Sequence, residues 1–213
     1  MSLNNAIEAV YEAFSDVEKP EIVDGCPCCM TTDEYDALTA KPLRELSSEE
    51  LSDYSGDVFF TMGSEADYQY FLPRILELTI ADDADWIQSA EITGNKLRMA
   101  GFDKWSEGKR SAIENLWLEV VRNYVKSVTD SETAGWAAWD ISSWLGAATL
   151  IPISVVPLLT EIEASPDVVR ELYDMNLATI FQGKLDNPFL EEPNDGQAEV
   201  AAWLRDRFEG STQ

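Results

Sequence analysis

The chain contains no histidine. That absence removes the commonest general base and the commonest metal ligand, so histidine-based triads and histidine-containing zinc motifs are excluded. There is no glycine-rich phosphate loop, no Gly-x-Ser-x-Gly elbow and no Gly-x-Gly-x-x-Gly run ahead of a helix. Any acid–base chemistry would fall to carboxylates, lysine, tyrosine or cysteine. Cations are scarce: fifteen Lys and Arg stand against forty Asp and Glu, a net charge of −25. Such a field repels nucleic acid and anionic lipid and favours a basic protein, a cation, or simple solubility. Cysteine is limited to three clustered residues. That odd number does not suggest a secreted disulfide framework. The opening Met-Ser-Leu-Asn-Asn lacks the charged and apolar regions of a signal peptide, so a reducing cytoplasm is the expected compartment.

What is present is enough apolar material for a core. Hydrophobic residues make up 45% of the 213, with seven Trp, seven Tyr and eight Phe. A chain of this length and composition folds without a disulfide or metal. The best internal boundary is the 41–47 linker. It divides a 1–46 appendage, comprising an N-terminal helix and a cysteine loop, from a helical body over 47–213.

The charge is uneven. Residues 1–95 carry 21 acids and four bases, a net −17, whereas residues 96–126 carry seven bases and four acids. The basic stretch is expected to face acidic helices of the same chain. Residues 141–160 hold no charge over twenty positions, enough to cross a bilayer. Pro152 and Pro157 interrupt them, however, and no Lys or Arg occurs between 127 and 169 to anchor an orientation. The stretch reads as a buried helix end, a turn and a second buried helix, with Trp144, Leu150, Ile153 and Leu158 inside and no membrane involved.

Helical periodicity recurs along the chain. Leu3, Ile7, Val10, Tyr11 and Phe14 define a first helix. A short one over 32–40 begins at Thr31 or Thr32. Ser47 with Glu50 forms a capping box, opening a helix to about Thr61 that Gly63 stops. Ser64 and Asp67 open the next, whose stripe runs from Tyr68 to Ile80 around a kink at Pro73. Further helices are expected over 84–100 (around Trp86, Ile87 and Leu97), 106–128 and 132–148, the last burying Trp136, Trp139 and Trp144. Ser165-Pro166 opens a helix that reaches Phe181 and closes at Gly183. Asn194 caps the final one, with Gly210 at its end. No segment alternates with period two between hairpin turns. The fold class is therefore all-α, an irregular multi-helix bundle of about eight to ten helices with little or no strand.

One local motif stands out, Gly25-Cys26-Pro27-Cys28-Cys29. Cys26 and Cys29 have the spacing of a redox pair, although the surrounding strand–helix–strand context is missing. A closed zinc site would need a fourth ligand beyond Cys26, Cys28 and Cys29, supplied by Asp24 or Asp33. The plain reading is a structural thiol loop. No other cofactor is expected. Asp82, Asp83 and Asp85 place three carboxylates within four residues, as a helix N-terminus favours. Glu161 with Glu163, and Glu191 with Glu192, read as solvated surface.

The Cys-Pro-Cys-Cys loop, the Leu43…Leu46…Leu51…Tyr54 spacing, Thr61-Met62-Gly63, and the run Asp67 to Leu78 containing Tyr-Phe-Leu-Pro-Arg-Ile-Leu-Glu-Leu together resemble an uncharacterised family of acidic, helical bacterial proteins. The likeness covers about residues 1–80. It implies a bacterial cytoplasmic protein and supplies no catalytic residue. Two functional readings follow. One is a non-catalytic acidic binding module, immunity-type or regulatory, that captures a basic protein. The other is an enzyme or small-ligand or metal-binding protein with a pocket near Tyr70, Arg74 and the Cys26–Cys29 loop.

Overall fold

Capping chemistry sets where the first helices begin. The computed structural model describes residues 1–26, 28, 30–81, 88–190 and 192–209. In α1 (Leu3–Ala13) the Ser2 hydroxyl accepts from the Asn5 amide. Reciprocal capping boxes open α2 (Thr32–Ala40), between Thr31 and Glu34, and α3 (Ser48–Asp57), between Ser47 and Glu50. Ser64 and Asp67 exchange the same bonds ahead of α4 (Glu65–Ala81). These satisfy amides that have no partner within the helix. Then follow α5 (Ala90–Met99), α6 (Glu107–Ser127), α7 (Ser131–Leu150), α8 (Val156–Ile162), α9 (Pro166–Asn176) and α10 (Asp195–Glu209). Among the described residues there is no strand. Extended pairing is limited to isolated bridges of Met62 with Gly25 and Val58. The protein is all-α, as its periodicity indicates.

The chain divides into two compact units, Met1–Ile113 and Glu114–Gln213, with the boundary inside α6. In the first, α4 packs against α1 and α3, and α2 packs against α3. Val10, Leu51, Tyr54, Phe71, Leu72, Ile75 and Leu97 are buried there. Pro73 is buried within α4, which continues unbroken to Ala81. The 41–47 stretch lies inside this unit: Leu46 is fully buried and its carbonyl accepts from Arg74 Nε at 2.8 Å. The α3 helix ends at Asp57, short of Thr61, because the chain turns there. Phe59 takes a left-handed backbone at φ 70°, a conformation costly for a residue with a Cβ. Gly63 takes one at little cost.

In the second unit α7 lies against α9, and α10 packs on both. Among the buried residues of α7 are Ala134, Ala137, Ala138, Ala147 and Ala148. The indole of Trp117, fully buried, meets Trp144 edge-on with centroids 4.8 Å apart. Ending α7 at Leu150 and placing Pro157 in the first turn of α8 splits the charge-free stretch. Among the described residues no helix is long and apolar enough to cross a membrane.

Trp136 and Trp139 are not buried but 70% and 67% exposed, because they lie on the face of α7 opposite its buried positions Ala134, Ala138, Ile141 and Leu145. Trp144 and Leu158 are inside, while Leu150 and Ile153 are only half-buried. The α9 helix stops at Asn176, whose side chain donates to the Leu172 carbonyl and accepts from the Asp186 amide at 2.7 Å. Ile180 follows in a separate short turn, and Phe181 is exposed. Trp86, Ile87, the Asp82–Asp85 acids, Glu191 and Gly210 lie outside the described residues.

Candidate functional site

The cysteine loop is held by backbone contacts. The Cys26 amide donates to the Thr61 carbonyl at 2.9 Å, and the Gly63 amide donates to Asp24 O at 2.8 Å. Tyr35 Oη donates to Cys26 O at 3.4 Å. Gly25 is required by close approach, since a Cβ there would meet Tyr35 Oη and lie 2.6 Å from Met62 Cβ. Cys26 is half-buried and Cys28 exposed. Cys29 lies outside the described residues. Among those described, no three Cys, Asp or Glu converge as metal ligands.

Arg74 is the centre of a filled network. Its Nε donates to Leu46 O, and its Nη1 pairs with Glu77 at 2.7 Å. Tyr11 Oη donates to the same carboxylate at 2.6 Å. Arg44 stacks over the Tyr11 ring at 3.6 Å and holds Glu8 through both Nη atoms. Burial pushes the Glu77 carboxyl up, but the bonds from Tyr11 and Arg74 outweigh it and hold the group below the usual carboxylate range. Burial first, then Glu77, raises the Tyr11 hydroxyl well above an ordinary tyrosine. The arrangement ties α1, the 43–46 turn and α4 together. Tyr70, one turn before Arg74, is half-buried against the Phe71 ring at 5.1 Å, and burial raises its hydroxyl.

One base of the 96–126 stretch, expected to face acidic helices, is instead buried on a backbone carbonyl. Lys96 is 2% exposed. Its Nζ donates to Val58 O at 2.7 Å and sits 3.9 Å from the Phe60 ring centroid. Burial pushes the ammonium down to about 8, with Asp57 pulling partway back. Thus Lys96 clamps the turn that contains left-handed Phe59. Other bases of the 96–126 stretch do meet acids: Lys109 pairs with Asp16 at 3.1 Å, and Arg122 binds Glu119 and Glu161.

The surface of the second unit includes two depressions formed by described residues. One, of about 530 Å³, is lined by Glu163, Asp167, Arg170, Arg207 and Phe208 among others. Arg207 pairs with Glu163, which also accepts from Trp203 Nε1 at 2.9 Å. Arg170 lies over Phe208 at 5.0 Å. Two cations and two acids leave this depression no clear charge preference. The other, of about 350 Å³, is lined by Ser131, Glu132, Gly135, Trp136, Trp139 and Glu171. It contains acids and aromatic faces and no base. Compared with known proteins, the chain matches no family model, no curated protein and no solved structure.

Proposed function

We propose that the protein is a non-catalytic acidic binding module, of immunity or regulatory type, that captures a basic protein in a bacterial cytoplasm. The reading rests on how the chain uses its few cations. Lys41, Arg44, Arg74, Lys109, Arg122 and Arg207 are all committed to acids of their own unit, and Lys96 is buried on a carbonyl. With forty acids in the chain, that internal pairing leaves a large surplus of solvent-facing carboxylates. Self-repulsion of such a surplus disfavours the compact state, while the same field accelerates and orients encounter with a cationic partner. Arg74 favours this binding role over a pocket enzyme, since its Nε and Nη1 already serve Leu46 and Glu77.

The test is capture by the immobilised protein from a lysate of its source organism. A basic protein is expected on the column at about 10 mM ionic strength, where charges reach about 30 Å, and is expected to weaken near 0.15 M, where they reach about 8 Å. Retention of no basic protein at low salt, together with a co-purified small molecule, would hand the function to the pocket reading.

A further inference from the structure

We infer that the α7 face carrying Trp136 and Trp139 is the seat for an arginine-bearing segment of that basic partner. The inference rests on the acidic-module reading and names where the partner docks. Along α7, Glu132, Gly135, Trp136, Trp139 and Asp140 recur at three- and four-residue spacing and share one face. The opposite face, Ala134, Ala138, Ile141, Leu145 and Ala148, is the buried one. The two indoles are therefore presented to solvent by a helix already fixed from behind. Tryptophan is seldom left so open on a soluble surface, and it is the residue most enriched among binding hot spots.

The chemistry of the groove selects its occupant. Glu132 from α7 and Glu171 from α9 flank the indoles. Gly135 leaves the space between them open, its absent Cβ lying 4.0 Å from Glu171 Oε2. No Lys or Arg occurs anywhere from 127 to 169. Among the described residues the chain's own cations stack on Tyr11, Phe14, Phe60, Trp203 and Phe208, and none on Trp136 or Trp139. An aromatic face beside carboxylates suits a guanidinium, which stacks on the ring while its edge bonds the acid. A second copy of the chain fits poorly, because each copy carries −25. An anionic bilayer is repelled for the same reason.

The experiment is a fluorescence-anisotropy titration of labelled octa-arginine peptide at low and physiological salt. The Trp136→Ala/Trp139→Ala double variant keeps the net charge and is expected to bind about tenfold more weakly, through loss of two cation–aromatic contacts. Trp136→Phe/Trp139→Phe should recover most of the affinity. Glu132→Gln/Glu171→Gln should weaken binding and flatten its salt dependence. Both tryptophans are exposed, so the variants should fold, and circular dichroism is the check on that. If the peptide binds wild type and the alanine variant within about twofold, with equal salt sensitivity, the indole seat is wrong while acidic capture stands. If wild type fails to bind at low salt, the seat is also wrong. So is it if the alanine substitutions abolish self-association or vesicle binding instead.

Discussion

Replacing Lys96 with methionine should change how stability responds to pH. The folded Lys96 ammonium is pushed by burial from an ordinary 10.5 to about 8. In the unfolded chain the amine keeps its proton up to the ordinary value, whereas in the folded state it releases it near 8. Between those values the unfolded state binds more protons, so stability must rise with pH. Wild type therefore gains on the order of 2 kcal/mol between about pH 7 and about pH 9.5. Lys96→Met keeps the packing but removes the titrating group, so its stability should lack that rise. The Val58 carbonyl loses its donor in exchange for relief of a buried charge, leaving the variant within about 2 kcal/mol of wild type at neutral pH. The assay is chemical denaturation of both proteins under reducing conditions across that range. Cysteine titration is common to both and cancels in the difference. Tyr54 and Tyr68, raised by burial, oppose folding only above about pH 10, where unfolded tyrosine ionises. Parallel curves within about 0.5 kcal/mol would show that the Lys96 amine is not perturbed, and the clamp on the 58–62 turn would lose its electrostatic basis.

Gly25→Ala forces a methyl into Tyr35 Oη and the Met62 side chain; a loss of about 1–3 kcal/mol is expected in denaturant titration, and an unchanged midpoint would refute the close approach. Tyr11→Phe removes the 2.6 Å bond to Glu77 and should cost about 1–2 kcal/mol at neutral pH, with a smaller difference from wild type in acid as Glu77 protonates. Elemental analysis of protein purified without chelators should find less than about a tenth of an equivalent of zinc; a full equivalent would assign Cys26, Cys28 and Cys29 to a metal site.

Helix placement was legible wherever local chemistry decides it. Ser47 with Glu50, Ser64 with Asp67 and Asn194 ahead of α10 announce their caps without tertiary information, and the bonds are present. The long stripe from Ile113 to Val125 likewise lies within α6. Tertiary packing was not legible in the same way. Trp136 and Trp139 look like core residues by hydropathy, yet the buried face of α7 is made by Ala134, Ala138, Ile141 and Leu145. The three- and four-residue recurrence of Ala134, Ala138, Ile141, Leu145 and Ala148 was the available signal, since it sets one apolar face opposite the indoles. Lys96 gave no local sign of burial, because its carbonyl partner is 38 residues away. The early end of α9 depends on Asn176 bonding the 186 amide, again a distant partner.

Four of the second unit's five tryptophans fall into an inner pair and an outer pair, with Trp203 half-buried on α10, and this division makes the unit optically legible. Trp117 and Trp144, locked edge-on, should couple as excitons and dominate the near-ultraviolet dichroism. Trp136 and Trp139 should emit at longer wavelength and relax freely in water. Because carboxylates surround the outer pair, a cationic quencher such as caesium should extinguish their emission more efficiently than iodide does, while neither reaches the inner pair.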